Sequence, residues 1–197
     1  MKTFSKVVAG LAVAAVLGAS QAEAQSRIVI GGGSTLGMSD IKETANGGFN
    51  NGPHLILGYE YVSAGGFGFR VDGMYHRISG DDVSQGTGPA LSSNLQVMNG
   101  TANLLYVLPT AGNFKPYLIA GIGYYSFKPT GDAYTGLDLD TTNDIGFNAG
   151  AGFEAGGAGL KFFGEARFHQ IQSNDTAGFN PRVLPISVGV KIPLGAS

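Results

Sequence analysis

Cysteine is absent from the 197 residues, which excludes a disulfide framework and any lipid anchor carried on a cysteine. Charge is scarce too. Lys, Arg, Asp and Glu make up 13% of the chain, where a soluble globular domain carries about 25%, so a richly charged, solvated face is not what keeps this protein dispersed. The formal charge is −2, so nothing in the charge balance suggests nucleic acid. Long apolar runs are missing beyond the N-terminus, and apolar residues nowhere recur with the 3.6-residue period of an amphipathic helix. A membrane-crossing helix needs about 20 apolar residues, so if the mature chain crosses a membrane it must do so as a closed barrel. No cofactor motif occurs.

What is present begins with Lys2 and Lys6, an uncharged apolar run from Val7 to Ala19, and Ala22-Glu23-Ala24 before Gln25. This order predicts a signal peptide over residues 1–24, with a small-x-small cleavage site, and export to the periplasm. Residues 25–197 then form one domain by length, with no room for a further peptidoglycan-binding domain, so cell-wall tethering is not expected.

From Arg27 onward, segments of about ten residues alternate in hydrophobicity between turn-rich stretches, as transmembrane strands do. Eight are expected, at 26–36, 53–63, 67–78, 94–108, 116–128, 144–156, 159–172 and 183–194. Long polar connections (37–52, 79–93, 129–143 and 173–182) alternate with short ones (64–66, 109–115 and 157–158). That alternation predicts an all-β, eight-stranded, antiparallel up-and-down barrel with short periplasmic turns, longer external loops and both termini on the periplasmic side.

Two hairpins can be registered, because a turn determines which residues face each other and side chains alternate with period two. A turn centred on Gly65 pairs Tyr61 with Phe69, Tyr59 with Val71 and Leu55 with Tyr75 on one face. The other face pairs Glu60 with Arg70, Gly58 with Asp72 and His54 with His76. A turn at Gly157-Ala158 pairs Phe153 with Phe162, Ala149 with Ala166 and Phe147 with Phe168; opposite these come Glu154 with Lys161, Gly152 with Phe163, Gly150 with Glu165 and Asn148 with Arg167.

Each hairpin thus has an apolar face and a face of acids, bases and glycines. A soluble barrel would place the apolar face inside. The polar set argues for the reverse: Glu60, Arg70, Asp72, Glu154, Lys161, Glu165 and Arg167 compensate one another and alternate with glycines, which suits a narrow interior filled by side chains. Uncompensated buried charges cost several kcal/mol, so pairing is expected inside and optional outside. On the apolar face, aromatics gather toward the strand ends: Tyr59, Tyr61, Phe67, Phe69, Phe153 and Phe162 near the short turns, Tyr75, Tyr124, Phe147 and Phe168 nearer the loops. Two girdles at the two membrane interfaces are expected. Tyr117 to Phe127, in the fifth strand, is apolar on both faces, and its sides stay unassigned.

Three stretches, Asn103-Leu104-Leu105-Tyr106-Val107-Leu108-Pro109, Lys115-Pro116-Tyr117-Leu118-Ile119-Ala120-Gly121-Ile122-Gly123-Tyr124 and Gly164-Glu165-Ala166-Arg167-Phe168, resemble the small outer-membrane barrel family that includes the OmpA transmembrane domain, OmpX and the opacity-type proteins. The resemblance runs over the whole mature chain. It implies an outer-membrane location among lipid and lipopolysaccharide, and insertion by the barrel assembly machinery. In that family the last strand carries an assembly signal, which Ser187, Gly189, Ile192 and Leu194 resemble; the final hydrophobics are aliphatic here, and Gly195-Ala196-Ser197 follow.

The expected function is non-enzymatic: an envelope-structural barrel, or one that binds through its loops. A narrow pore for ions or small solutes is a second reading, in which exchange of ion partners among Glu60, Arg70, Glu154, Glu165 and Arg167 gates the lumen. A lipid A-modifying enzyme is a third, built on His169, Ser173 and Glu165, although the related deacylases resemble a His-x-Ser arrangement, whereas here Ser173 stands four positions after His169. Asp138, Asp140 and Asp144 with Thr142 and Asn143 offer alternating oxygen donors, but without the glycine and terminal glutamate of a calcium loop. Asp40, Glu43, Asp81, Asp82, Asp132 and Asp175 add to an acidic loop set that could share a divalent cation with lipopolysaccharide phosphates. His54 and His76 face each other, and two ligands alone do not make a metal site.

Overall fold

The computed structural model describes residues 25–38, 50–80, 91–136, 141–157, 159–172 and 180–194. Eight strands follow in order: β1 (Gln25–Met38), β2 (Asn51–Val62), β3 (Phe67–Ser79), β4 (Asn94–Val107), β5 (Phe114–Thr130), β6 (Thr142–Gly156), β7 (Lys161–Gln172) and β8 (Arg182–Leu194). Each pairs antiparallel with its sequence neighbour, and β1 pairs with β8, giving a closed barrel of meander topology. Closure leaves no unpaired edge. Among the described residues the one helical element is a short 3-10 turn at Asp132–Tyr134. The expected signal peptide lies outside the described residues.

Side chains alternate strictly between outside and inside, as the exposed-buried pattern of β2, β3 and β4 records. Leu57, Leu104, Ile122 and Val188, all more than 60% exposed, lie outside, while Glu60, Arg70 and Arg167 are buried within. The apolar belt therefore faces outward and the charges inward. The fifth strand, which sequence pattern leaves without sides, sends Tyr117, Ile119, Tyr125 and Phe127 inward and Leu118, Ile122 and Tyr124 outward.

The β2–β3 register is the expected one, with Glu60 opposite Arg70, Gly58 opposite Asp72 and His54 opposite His76. Its turn is tight: Ser63 N–H donates to Phe67 O at 2.8 Å, Gly66 N–H donates to Ser63 O at 3.0 Å, and Gly66 takes φ 82, a left-handed conformation that only glycine adopts freely. The β6–β7 register needs a correction by two residues. Phe153 faces Gly164, not Phe162; Ala149 faces Phe168 and Phe147 faces Gln170; Glu154 faces Phe163, Gly152 faces Glu165, Gly150 faces Arg167 and Asn148 faces His169.

The closing pair is Gly156 with Lys161, so the connection is two residues longer than Gly157-Ala158 alone. This register sets small residues against large ones on both faces. Outside, the Phe153 ring covers Gly164, where a β-carbon would sit 2.7 Å from Cε1; inside, a β-carbon on Gly150 would lie 2.8 Å from Arg167 Cα. The shift is even, so the division into faces survives it.

The lumen as candidate functional site

Nine of the charged side chains buried in the lumen form a network of two joined clusters. Near the short-turn end, Glu154 accepts from Arg27 Nη1 at 2.7 Å, Lys161 Nζ at 2.9 Å and Lys191 Nζ at 3.0 Å. Glu60 accepts from Arg27 Nη1 at 3.2 Å and Lys191 Nζ at 3.0 Å. The Lys191 ammonium also lies 4.3 Å from the Tyr117 ring centroid, where the ring's negative face attracts it. At mid-height, Glu165 accepts from Arg167 Nε at 2.9 Å and Nη2 at 2.5 Å, from Tyr117 Oη at 2.8 Å, and from Arg70 Nη2. Asp72 accepts from Arg70 Nε at 3.0 Å, Arg167 Nη1 at 3.0 Å, Thr101 Oγ1 at 2.8 Å and Asn103 Nδ2 at 3.2 Å. Arg70 Nη1 approaches Glu60 Oε2 at 3.6 Å and links the clusters.

All seven charged residues singled out in the sequence belong to this network. Arg27, Lys191 and Tyr117 were missed. Arg27 faces Glu60 across β1 and β2, and Lys191 faces Lys161 across β7 and β8, but both strand pairs are joined by long connections that set no register in the sequence; Tyr117 sits in the strand whose sides could not be assigned.

Above the mid-height cluster, toward the loops, a hydrogen-bonded chain crosses five strands. Ser187 Oγ lies 2.8 Å from His54 Nε2, His54 Nδ1 lies 3.0 Å from Thr35 Oγ1, Thr35 Oγ1 lies 2.6 Å from His76 Nδ1, and His76 Nε2 lies 2.8 Å from Asn99 Oδ1. Its polarity follows from one end. The amide oxygen of Asn99 only accepts, so His76 Nε2 donates; a neutral His76 then accepts at Nδ1 from Thr35, Thr35 accepts from His54 Nδ1, and Ser187 donates to His54 Nε2. His54 and His76 face each other with ring centroids 5.4 Å apart, and no group of three metal-ligating side chains occurs among the described residues.

His169 Nδ1 lies 2.7 Å from Tyr125 Oη, and its Nε2 has no partner among the described residues. No hydrogen bond joins it to Glu165 among them either, and Ser173 lies outside them. Asp144 is not a loop residue: it belongs to β6 and is buried. Asp132, the first residue of the short 3-10 turn, is tied to Ser92, whose Oγ donates to the carboxylate at 2.9 Å. Asp40, Glu43, Asp81, Asp82, Asp138, Asp140 and Asp175 lie outside the described residues.

Apolar side chains close the lumen beyond the polar layers. Ile78, Leu95, Val97, Tyr125, Phe127, Ile171 and Val183 cluster at the loop end, and Val62, Leu105, Val107, Tyr117 and Ile119 at the turn end. Outside, Phe67, Tyr75, Tyr124, Phe147, Phe153 and Phe162 are exposed and Tyr59, Tyr61, Phe69 and Phe168 half-exposed. Contacts such as Tyr61 with Phe69, at 5.5 Å between ring centroids, tie them together. In β8, Ser187 and Gly189 face the lumen, while Ile192 and Leu194 are exposed.

Residues 9–191 match a family described as outer membrane protein beta-barrel domain. Similar solved structures share the fold at low identity. Neisserial surface protein A is 17% identical with a TM-score of 0.56, over 87% of this chain and 96% of that one. Ail, the attachment invasion locus protein of Yersinia pestis, solved with the heparin analogue sucrose octasulfate, is 15% identical with a TM-score of 0.52, over 87% and 100%. A major outer membrane protein from Thermus thermophilus is 15% identical with a TM-score of 0.51, over 88% and 100%. No curated protein matches.

Proposed function

The chain belongs to the family of outer membrane protein beta-barrel domains, and from that premise we propose that it is a non-catalytic, non-conducting span of the outer membrane that stiffens the envelope and holds four loops on the external side. One observation carries the reading. Each of the nine charged side chains of the lumen network lies within 4 Å of an opposite charge, with buried apolar clusters above and below. Ion passage would require breaking several charge-assisted bonds at once and hydrating both apolar ends.

The rest of the reading rests on sequence and placement. Residues 1–24 serve as the signal peptide. Ser187, Gly189, Ile192 and Leu194 present the last strand to the assembly machinery, the two aliphatic residues from the outer face and Ser187 and Gly189 from within. The aromatic residues of the outer face mark the two interfaces.

Planar-bilayer recording of the refolded protein tests the central claim. The expected result is a bilayer that stays silent while the protein migrates as a heat-modifiable barrel. Steady unitary steps from the unaltered protein would replace this reading with the narrow pore. Mass analysis of lipid A after expression tests the enzymatic reading, and no change in acylation is expected.

A further inference from the structure

The outer face of the described strands carries no carboxylate: Glu60, Asp72, Asp144, Glu154 and Glu165 are all buried in the lumen. Its charges are cationic and stand at the loop end. Two of them, Arg77 on β3 and Lys128 on β5, are exposed and flank Gln96 of β4 in one register row, Arg77 opposite Gln96 and Gln96 opposite Lys128. Neighbouring strands lie about 4.8 Å apart, so the outer cations start roughly 10 Å from each other, within reach of a common anion. Neither has an ion-pair or hydrogen-bond partner among the described residues, unlike the lumen cations.

Directly membrane-ward of this row is a groove of about 440 Å³. Ile30, Leu55 and Leu57 wall one side, Tyr75 and Met98 the end nearest the cations, and Gly73 lies at its floor. The floor exists because Gly73 pairs with Gly100: a β-carbon on Gly100 would meet nothing within 4 Å, and one on Gly73 only Asn99 O at 3.8 Å. Gln96 Nε2 donates to Tyr75 Oη at 2.7 Å, joining the polar row to the end of the groove.

Cations without an ionic partner among the described residues, at the external interface above an apolar groove, complement a molecule with phosphate at that level and an acyl chain below it. We propose that Arg77, Gln96 and Lys128 bind a phosphate of a phosphorylated, acylated glycolipid of the outer leaflet, the lipid A portion of lipopolysaccharide, and that one of its acyl chains lies over Gly73 and Gly100 between Leu57 and Met98. The inference rests on the outer-membrane reading with the long loops external, since only that orientation brings the row to the glycolipid leaflet.

The test measures retention of diphosphoryl lipid A, of the same lipid stripped of phosphate, and of phosphatidylglycerol by the refolded protein in detergent, using native mass spectrometry. Diphosphoryl lipid A is expected to bind roughly tenfold or more tightly than either other lipid, two interfacial cations being enough for that ratio. The double variant Arg77→Gln, Lys128→Gln should fall to the level of the stripped lipid. Gly73→Leu, whose β-carbon would meet only Asn99 O at 3.8 Å, projects into the groove and should weaken both lipid A forms alike. Lys115→Gln, at the short-turn end, should bind as the unaltered protein does.

Unchanged retention by the double variant overturns the proposal, as does equal loss in Lys115→Gln, or phosphatidylglycerol held as tightly as diphosphoryl lipid A. Heat-modifiable migration and bilayer silence are recorded for every variant. Failure there indicts the closed-barrel reading, whereas failure of lipid selectivity in an intact, silent barrel indicts the site alone.

Discussion

Tyr117 lies across Gly152: its Cζ is 2.5 Å from where a β-carbon on residue 152 would stand, and the Gly164 carbonyl oxygen is 2.6 Å from the same point. The tyrosine cannot swing aside freely, because its hydroxyl is held by Glu165 at 2.8 Å. Gly152→Ala is therefore expected to destabilise the barrel by about 1–3 kcal/mol, the usual cost of overpacking. Gly100→Ala, on the open outer face, should cost far less. Urea unfolding in bilayers, followed by heat-modifiable migration, compares the two.

Glu165 is shared by two guanidinium groups and a phenol, those of Arg70, Arg167 and Tyr117. Glu165→Gln leaves two buried guanidinium groups short of charge and should cost about 3–5 kcal/mol. Lys161→Ala removes a single contact to Glu154, whose carboxylate keeps Arg27 and Lys191, and should be much milder. Equal destabilisation by the two would argue against a hierarchy in the network.

Thr35 stands between two imidazoles, and its hydroxyl bonds to both of them. Its replacement by Val should destabilise by about 1–3 kcal/mol, the cost of unsatisfied buried groups, while Thr35→Ser retains the chain. Nitrogen-15 NMR gives a readout that packing alone would not move: His54 is expected as the Nδ1–H tautomer and His76 as the Nε2–H tautomer. Identical tautomers for both rings in the unaltered protein would contradict the deduced polarity.

Ile122, midway along β5 and 67% exposed, lies in the apolar outer belt. Ile122→Arg should cost about 2–4 kcal/mol in a bilayer, the range for a cation near the midplane on the lipid face. Its ladder partner is Ala102, while Thr101, opposite Gly123 one rung on, is buried within the barrel. An arginine tolerated at 122 in bilayers would mean that the belt does not face lipid.

The strand count, the alternation of long and short connections, the division into faces and the β2–β3 register were legible in the amino-acid order, because they depend on local quantities. Period-two alternation and a turn such as Ser63–Phe67 determine which residues face each other across a hairpin, whatever the rest of the chain does. The β6–β7 register was read two residues off for the same reason: Gly157-Ala158 passes for a complete turn until the packing of Phe153 over Gly164 selects the longer one.

Only the tertiary structure decided what meets across the lumen. Arg27 meets Glu60 directly across β1 and β2, but β1 and β8 have no connecting turn, so the arrival of Lys191 at Glu60, and of Arg27 and Lys191 at Glu154, depends on barrel closure. Tyr117 found its side only when Gly152 opened a place for it. Long side chains from distant strands converge according to the barrel's radius and stagger, and those are properties of the closed ring, which no single hairpin contains.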